Sequence, residues 1–305
     1  MIKISVIIPT YNPNKARLIQ TLKGLESQDF PFAEWELIIV DNKSTNSFSK
    51  GLNLDWHPNT RIVIETKEGL TFARIRGFKE CKANIIIMVD DDNILAKDYL
   101  TETFKIFTQN PMMGAIGGQS IPLFESKPPE WISQFYTCLA VRNLGERVIR
   151  EKWEIKYPAA APIGAGMAIR KISLTKYIEK IQSGNNIITD RLGNSLSSGG
   201  DNDIVLEIIK SGWEVGYFPQ LSLKHIIPPE RIQSSYLARL NKDSSKSWIH
   251  LLNSHGINPW KRINKFTVIP RQIKAFFTFK AWQNAPNYIK WKGACGSFKA
   301  LGEID

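Results

Sequence analysis

Apolar residues fall into two rhythms along the first hundred positions. Short apolar stretches, Ile2 to Ile8, Trp35 to Val40, Arg61 to Glu65 and Ile85 to Val89, read as buried strands. Between them, Lys15 to Ser27 carries Ala16, Leu18, Ile19, Leu22 and Leu25 at helical spacing, and Leu70 to Cys81 suits a second helix. A third helix is expected from about Ala96 to Thr108. Strands alternating with helices imply parallel crossovers and a sheet covered on both faces. After Gly118 the pattern loosens. Pro122, Pro128, Pro129, Pro158 and Pro162 stand among aromatics, so long loops with short elements are expected to residue 163. Gly184 to Gly200 is rich in Gly, Asn and Ser and predicts a mobile loop that closes over a ligand. Then follow a helix from Asp201 to Lys210, strands near Glu214 to Phe218 and Leu221 to His225, and a helix from Ser234 to Leu252.

In open sheets of this kind, ligands gather beyond the carboxyl ends of the strands. Asp41, Glu65 and Asp90 to Asp92 all fall at such ends. The run IIIMVDDDNILAKDYL, residues 85 to 100, sets three carboxylates at the tip of a buried strand. Adjacent like charges repel, and desolvating them is costly unless a cation is near. They are either solvated turn and cap residues or they await a cation. A phosphate-transferring NTPase would need a G-x-x-x-x-G-K-[ST] loop, which the chain lacks.

Charge adds a second feature. The 305 residues are 43% hydrophobic and 23% charged, ordinary for a folded domain, but the net charge is +11. From Lys224 to Asp305 there are 14 Lys and Arg against 4 Asp and Glu, so nearly all of the excess lies in the C-terminal part. Nine of these cations fall between Lys261 and Lys299 with no acidic residue, interleaved with Phe266, Phe276, Phe277, Phe279, Trp282, Tyr288 and Trp291. This extension is expected to meet an anionic surface, the inner face of a membrane; the alternative is a helix packed on the preceding domain with solvated lysines. Nucleic acid is not expected, because no recognised module accompanies the charge. Cys81, Cys138 and Cys295 form no C-x-x-C pair and suit a reducing compartment. The first apolar run breaks at Pro9 without a cleavage site, and no run approaches the about 18 residues of a membrane span. A cytoplasmic protein, peripheral at the membrane, is the expectation.

Four segments occur in a telling order: VIIPTYN, VDNKST, EGLTFARIRGF and VDDDN. Together they resemble the family-2 inverting glycosyltransferases, whose nucleotide-binding half has the GT-A fold. The resemblance covers roughly residues 1–230. It implies an α/β fold, a Rossmann-like and mostly parallel sheet with helices on both faces. Residues 1–118 would form the nucleotide-binding half, 119–230 the acceptor side, and 231–305 a basic, aromatic helical extension. Pro9, Thr10 and Tyr11 would then lie beside the nucleotide and Asp41 would meet the base. Gly69, Ala73, Arg74 and Gly77 match the segment near the diphosphate. Asp92 would bind Mn²⁺ or Mg²⁺ directly, Asp90 the ribose or a metal-bound water, and Asp91 would face outward or, in a tight turn, reach the ribose.

Further on, SSGGDND and KHIIPPER resemble S-G-x-D and H-x-x-P-x-x-R of one branch, matching Ser198, Gly199 and Asp201, then His225, Pro228 and Arg231. The resemblance makes Asp201 the general base, a role burial would favour by raising its pKa, and His225 a contact to the metal or diphosphate. Helix capping by Asp201, a surface ion pair for Arg74, a plain turn role for Asp41 and an ordinary strand histidine are the alternatives. Asp203 is expected to face away. PIGAGMAIRK resembles the segment lining the donor sugar and acceptor, with Gly166 where Asn is usual. Trp131 is expected to pack in a loop. The implied activity is transfer from a nucleotide-sugar, UDP-sugar first, to a glycan or lipid-linked acceptor in surface polysaccharide synthesis. Two rivals remain: a sugar-nucleotide nucleotidyltransferase, and a non-enzymatic binder of anionic surfaces with a degenerate domain.

Overall fold

The computed structural model describes residues 1–184 and 199–304. The mobile loop expected at Gly184 to Gly200, with Ser198, lies almost wholly outside them.

Strand β1 (Ile4–Thr10) is buried along its whole length and pairs in parallel with β2 (Trp35–Asp41) on one side and β4 (Ile85–Met88) on the other. Strand β3 (Thr60–Ile64) extends this parallel set beyond β2. Helix α1 (Lys15–Glu26) connects β1 to β2, and α2 (Leu70–Glu80) connects β3 to β4. Successive side chains of a strand point to opposite faces, and the core divides accordingly. Ile4, Val6 and Ile8 pack with Leu18, Leu22 and Leu25 of α1. Ile7 packs with Ala73, Ile75 and Phe78 of α2. These strands therefore read as unbroken apolar runs, because helices cover both faces.

After β4 the chain makes a short β5 (Asn93–Leu95), helix α3 (Tyr99–Gln109), and a long β6 (Met113–Phe124). Strands β7 (Ile149–Glu151) and β8 (Ala168–Arg170) follow, then helices α4 (Thr175–Ser183) and α5 (Gly200–Lys210), and β9 (Glu214–Ile227). Among the described residues the sheet order is β3-β2-β1-β4-β8-β6-β9-β5, with β7 on β9. The sheet is parallel through its N-terminal half. Beyond β4 it is mixed, since β8 runs antiparallel to both β4 and β6 while β6 and β9 are parallel.

Several boundaries depart from the sequence reading. The third helix starts at Tyr99, β6 runs on to Phe124 into the stretch where loops were expected, and β8 and α4 fall where the sequence pattern assigns no element. The two strands expected at 214–218 and 221–225 are one strand, β9, with a register shift opposite Gly117 to Gln119. Gly118 sits at that irregularity, and a Cβ there would lie 1.9 Å from the Leu221 carbonyl oxygen, so the close crossing excludes any side chain. Pro219 and the bulge break the apolar alternation, which explains why one strand reads as two.

The C-terminal part is helical: α6 (Ser234–Ser254), α7 (Val268–Thr278) and α8 (Ala285–Leu301). Helices α6 and α8 pack closely. Gly296 makes this possible, because a Cβ there would meet the Lys242 backbone oxygen at 2.0 Å. Leu237 and Leu240 of α6 join Ile289 of α8 and the 3₁₀ segment Glu130–Leu139 in one apolar cluster. Trp131 packs against Phe135 in that cluster, as expected of a loop aromatic. No helix among the described residues is long and apolar enough to cross a membrane.

Candidate active site

The carboxyl ends of β1 and β4 lie side by side, and the turn after β4 folds back on itself. The Asn93 N–H donates to the Asp90 carbonyl, and the Asp90 N–H donates to the Asn93 side-chain oxygen at 3.2 Å. This tight turn aims the three carboxylates differently. Asp91 does not face outward: its carboxylate accepts a hydrogen bond from the Thr10 hydroxyl of β1. Asp92 is buried; its Oδ1 lies 3.5 Å from His225 Nε2, and its Oδ2 lies 3.2 Å from an Arg231 guanidinium nitrogen. Antiparallel pairing of Asn93 with His225 sets this approach. Arg231, on the 3₁₀ turn Pro229–Ile232, also lies 3.3 Å from His225.

Electrostatics follow from this crowding. Burial, then the Asp92 charge, raises the pKa of Asp90, with Arg74 and His225 pulling the other way. Burial and Asp92 push Asp91 up to about 6 against the Thr10 hydrogen bond, which favours the ionised form. Burial disfavours the Arg231 charge, but the Asp92 carboxylate ahead of all other groups holds its pKa above the ordinary arginine value. The cluster is thus an acidic site already leaning on one cation.

Asp201 enters from the far side, in the first turn of α5. Its Oδ2 accepts the Gly164 N–H at 2.9 Å, and its Oδ1 lies 3.6 Å from the buried Arg74 of α2. A Cβ on Gly164 would sit 2.6 Å from that carboxylate oxygen, so the glycine lets the backbone reach it. Arg74 is therefore no surface ion pair; it faces Asp201 across the site. Next in the helix, Asn202 accepts the Tyr157 hydroxyl.

Pro9, Thr10, Tyr11, Gly69, Arg74, Asp90 to Asp92, Asp201, His225 and Arg231 border a single cavity of about 1070 Å³, whereas Asp41 does not. Tyr11 stands at its rim, 59% exposed. Asp41 ends β2 with its carboxylate accepting the Ser44 N–H at 2.8 Å, a turn role. Its neighbour Asn42 borders the cavity and ties the loop before α2 in place: Nδ2 donates to the Lys67 carbonyl at 2.7 Å and Oδ1 accepts the Gly69 N–H at 2.8 Å. Nothing in the sequence separates Asn42 from an ordinary turn asparagine. Arg231 ends the H-x-x-P-x-x-R spacing, but only the fold puts it on Asp92.

Gly166 has a positive φ of 75°, and a Cβ there would lie 2.5 Å from Leu223 and 2.8 Å from the Tyr99 hydroxyl. The Tyr99 hydroxyl donates to the Gly166 carbonyl at 2.6 Å. This chain has therefore closed the space an asparagine side chain would need.

The Asp92 oxygen and His225 imidazole nitrogen on the cavity wall are donors of the kind Mn²⁺ or Mg²⁺ takes, and the Arg231 guanidinium lies on both groups, 3.2 Å and 3.3 Å away. A second cluster of metal-type donors, Asp203, Glu207 and His255, lies elsewhere. There the Lys180 ammonium is 2.6 Å from Asp203 and 3.0 Å from Glu207, and His255 Nε2 is 2.6 Å from Asp203. A lysine on the donor oxygens makes this a charge-compensated junction of α4, α5 and the end of α6. Asp203 is fully buried in it, turned from the cavity as expected.

A model of the family described as Glycosyl transferase family 2 matches residues 5–177. An N-acetylglucosaminyltransferase of Azorhizobium caulinodans is 20% identical over 74% of this chain and 55% of its own length. The poly(ribitol-phosphate) beta-N-acetylglucosaminyltransferase TarS of Staphylococcus aureus is 28% identical over 43% of this chain and 24% of its own. A dolichol-phosphate mannosyltransferase of Pyrococcus furiosus is 34% identical over 30% of this chain and 26% of its own. The chain thus spans between about a quarter and about half of these relatives' lengths. Among solved structures, S. aureus TarS 1-349 in complex with UDP-GlcNAc superposes with a TM-score of 0.54 at 14% identity, covering 99% of this chain and 91% of that one. At that identity the likeness shows a common fold.

Proposed function

The chain belongs to glycosyl transferase family 2, and from that premise we propose that it is an inverting, metal-dependent glycosyltransferase. It moves the sugar of a nucleotide-diphosphate sugar, a UDP-sugar first, to a hydroxyl of a glycan or lipid-linked acceptor in surface polysaccharide synthesis. The observation that carries the reading is the meeting of Asp90 to Asp92 with Asp201, from opposite halves of the chain, around one cavity that also holds Arg74 and Arg231. S. aureus TarS 1-349, solved with UDP and with UDP-GlcNAc, supports the choice of nucleotide.

On this reading the nucleotide lies over the ends of β1 and β2, against Pro9, Thr10 and Tyr11, with Asp90 and Asp91 toward the ribose. Arg74 and Gly69 flank the diphosphate. Asp92 and His225 would hold Mn²⁺ or Mg²⁺, which when bound neutralises charge developing on the departing diphosphate. Asp201, fixed by the Gly164 N–H and Arg74, takes the proton of the acceptor hydroxyl as that oxygen attacks the anomeric carbon. The bond to the diphosphate breaks on the opposite face, the nucleotide leaves with the electron pair, and the configuration inverts. Arg231 offers a second positive charge on the leaving-group side. The turn after β1 carries no glycine to cradle phosphates, which disfavours a nucleotidyltransferase.

The C-terminal extension contributes a membrane contact at the cytoplasmic face. Ile269, Ile273 and Phe277 of α7 are 67%, 56% and 62% exposed, at four-residue spacing, and Phe266 precedes them at 79%. Arg271, Lys274 and Lys280 are exposed around them. An apolar stripe bordered by cations suits an anionic bilayer surface.

Thermal melting with UDP, GDP or dTDP, with and without Mn²⁺, tests the donor site. One nucleotide should raise the melting temperature in a Mn²⁺-dependent way, and Asp92→Ala should lose that response, beyond any lowering of its own melting temperature from the loss of the buried Arg231 partner. No shift with any nucleotide would sink the donor site. An undiminished shift and full turnover in excess EDTA would remove the metal.

A further inference from the structure

Three arginines border the cavity among the described residues, and each faces a different partner. Arg74 faces Asp201 at 3.6 Å. Arg142 donates to the Ala159 and Ala161 carbonyls. Arg231 instead sets a single guanidinium nitrogen, Nη1, against both metal-type donors, 3.2 Å from Asp92 Oδ2 and 3.3 Å from His225 Nε2. Beyond Asp201 the walls come from α6 and α8, through Trp248, Ile249 and Phe298, and these helices add no charged side chain to the lining.

Strand pairing holds the two donors, whereas the arginine arrives on a long side chain. The Asn93 amide donates to Asp92 Oδ1 at 3.1 Å, and the Ile226 N–H donates to the Asp92 carbonyl at 2.8 Å. Asn93 in turn pairs with His225 across β5 and β9. Arg231 extends from the turn Pro229–Ile232, and its side chain is 24% exposed against 10% for that of Asp92. A guanidinium carries no acceptor, so at this distance the His225 Nε2 lone pair faces it. A metal would take that same lone pair. Arg231 thus keeps both donors oriented as a divalent ion needs them, while standing where the ion would bridge them.

We propose that Arg231 is a resident counter-cation that couples metal entry to nucleotide binding: it takes the metal's position when no nucleotide is bound, and moves onto the diphosphate when one arrives. The inference deepens the glycosyltransferase reading and rests on it for the metal and the diphosphate. Metal alone must strip Arg231 from a buried carboxylate, which is costly. A diphosphate offers the guanidinium paired acceptor oxygens, so the cost falls when both ligands bind. The coupling is reciprocal, and Arg231 acts in it as a positioning residue.

The test measures protein-bound Mn²⁺ by EPR on the full chain, with and without UDP. Wild-type protein should bind Mn²⁺ weakly alone and about 5–150-fold more tightly with UDP, the usual size of such a coupling. Arg231→Gln should bind Mn²⁺ alone at least about tenfold more tightly than wild type, with little further gain from UDP. Adding Asp92→Ala should erase that gain. Damage to the fold cannot raise affinity at this site, so a structural role alone would not produce the result. In a wild-type crystal with UDP and Mn²⁺, Arg231 should lie on diphosphate oxygens and off Asp92. Equal Mn²⁺ affinity in wild type and Arg231→Gln would overturn the proposal and leave the donor site standing, as would Arg231 still on Asp92 beside a bound metal. A gain that survives Asp92→Ala would also overturn it, by placing the new ion elsewhere. No Mn²⁺ on wild type or variant at any UDP concentration would remove the metal reading and the proposal with it.

Discussion

Asp201 is the residue on which the proposed chemistry turns, and its surroundings make a sharp prediction. The Gly164 N–H and Arg74 fix its carboxylate, so Asp201→Asn keeps the shape and one hydrogen bond while removing the proton acceptor. Turnover should fall by about 10²–10⁴, with nucleotide affinity nearly unchanged by calorimetry. Loss of donor binding with turnover retained would assign Asp201 to the donor instead. A second residue acts on stability alone. His57 is enclosed by Phe32, Trp35 and Trp56, with its ring centroid 3.9 Å from that of Trp35. Its Nδ1 accepts the Asn59 N–H. Burial lowers its pKa from 6.5 to about 4. Above the unfolded value both states are neutral and the difference vanishes. As pH falls from 6.5 toward 4 the unfolded chain gains a proton that the folded one refuses, so stability declines, by no more than roughly 3 kcal/mol. Urea unfolding at pH 7 and pH 5 should show the loss, and His57→Phe should shrink it. An identical pH dependence in the variant would exclude His57 as the source.

At the scale of elements, the polar junction under α5 holds the candidate base in place without touching the cavity. Lys180 of α4, Asp203 and Glu207 of α5 and His255 after α6 interlock within a buried cluster. Removing the lysine leaves buried carboxylate charge uncompensated, so Lys180→Met should cost about 3–5 kcal/mol in chemical unfolding. Chelators should leave wild-type stability unchanged in the absence of nucleotide, as expected where an ammonium rather than a metal supplies the positive charge. A large drop in melting temperature with EDTA alone would make this junction a metal centre. The α6 and α8 pair shows a related dependence. Their shared cluster includes Ile249, Ala300 and Leu301, so cutting the chain near Asn258 would strip α6 of its cover. Point substitutions are the sound way to probe the extension.

For the whole molecule, charge and shape make the same prediction about its outer surface. Ile269→Glu with Phe277→Glu alters only exposed positions of α7 and should leave the fold intact. Wild-type protein should sediment with vesicles containing acidic lipid, less so as salt rises, and the double variant should remain in the supernatant. Binding unchanged in the variant, or concentration-dependent self-association without vesicles, would assign the face to another contact. The alternation of apolar runs and helical spacings already determined the parallel N-terminal half of the sheet, because backbone geometry ties those periods to strand and helix. The order of VIIPTYN, VDDDN and SGGD likewise placed the carboxylates at strand and helix ends, where local chain direction suffices. What the sequence left open are encounters between distant segments: Arg231 on Asp92, Arg74 on Asp201, Asp91 turned to Thr10, and a glycine forced at 166 by Leu223 and Tyr99. Packing decides these contacts, since which side chains meet depends on register and crossing distance rather than on spacing along the chain. The helical walls of the cavity are the extreme case, because α6 and α8 read as basic, aromatic helices until their contact with the sheet makes them part of the site.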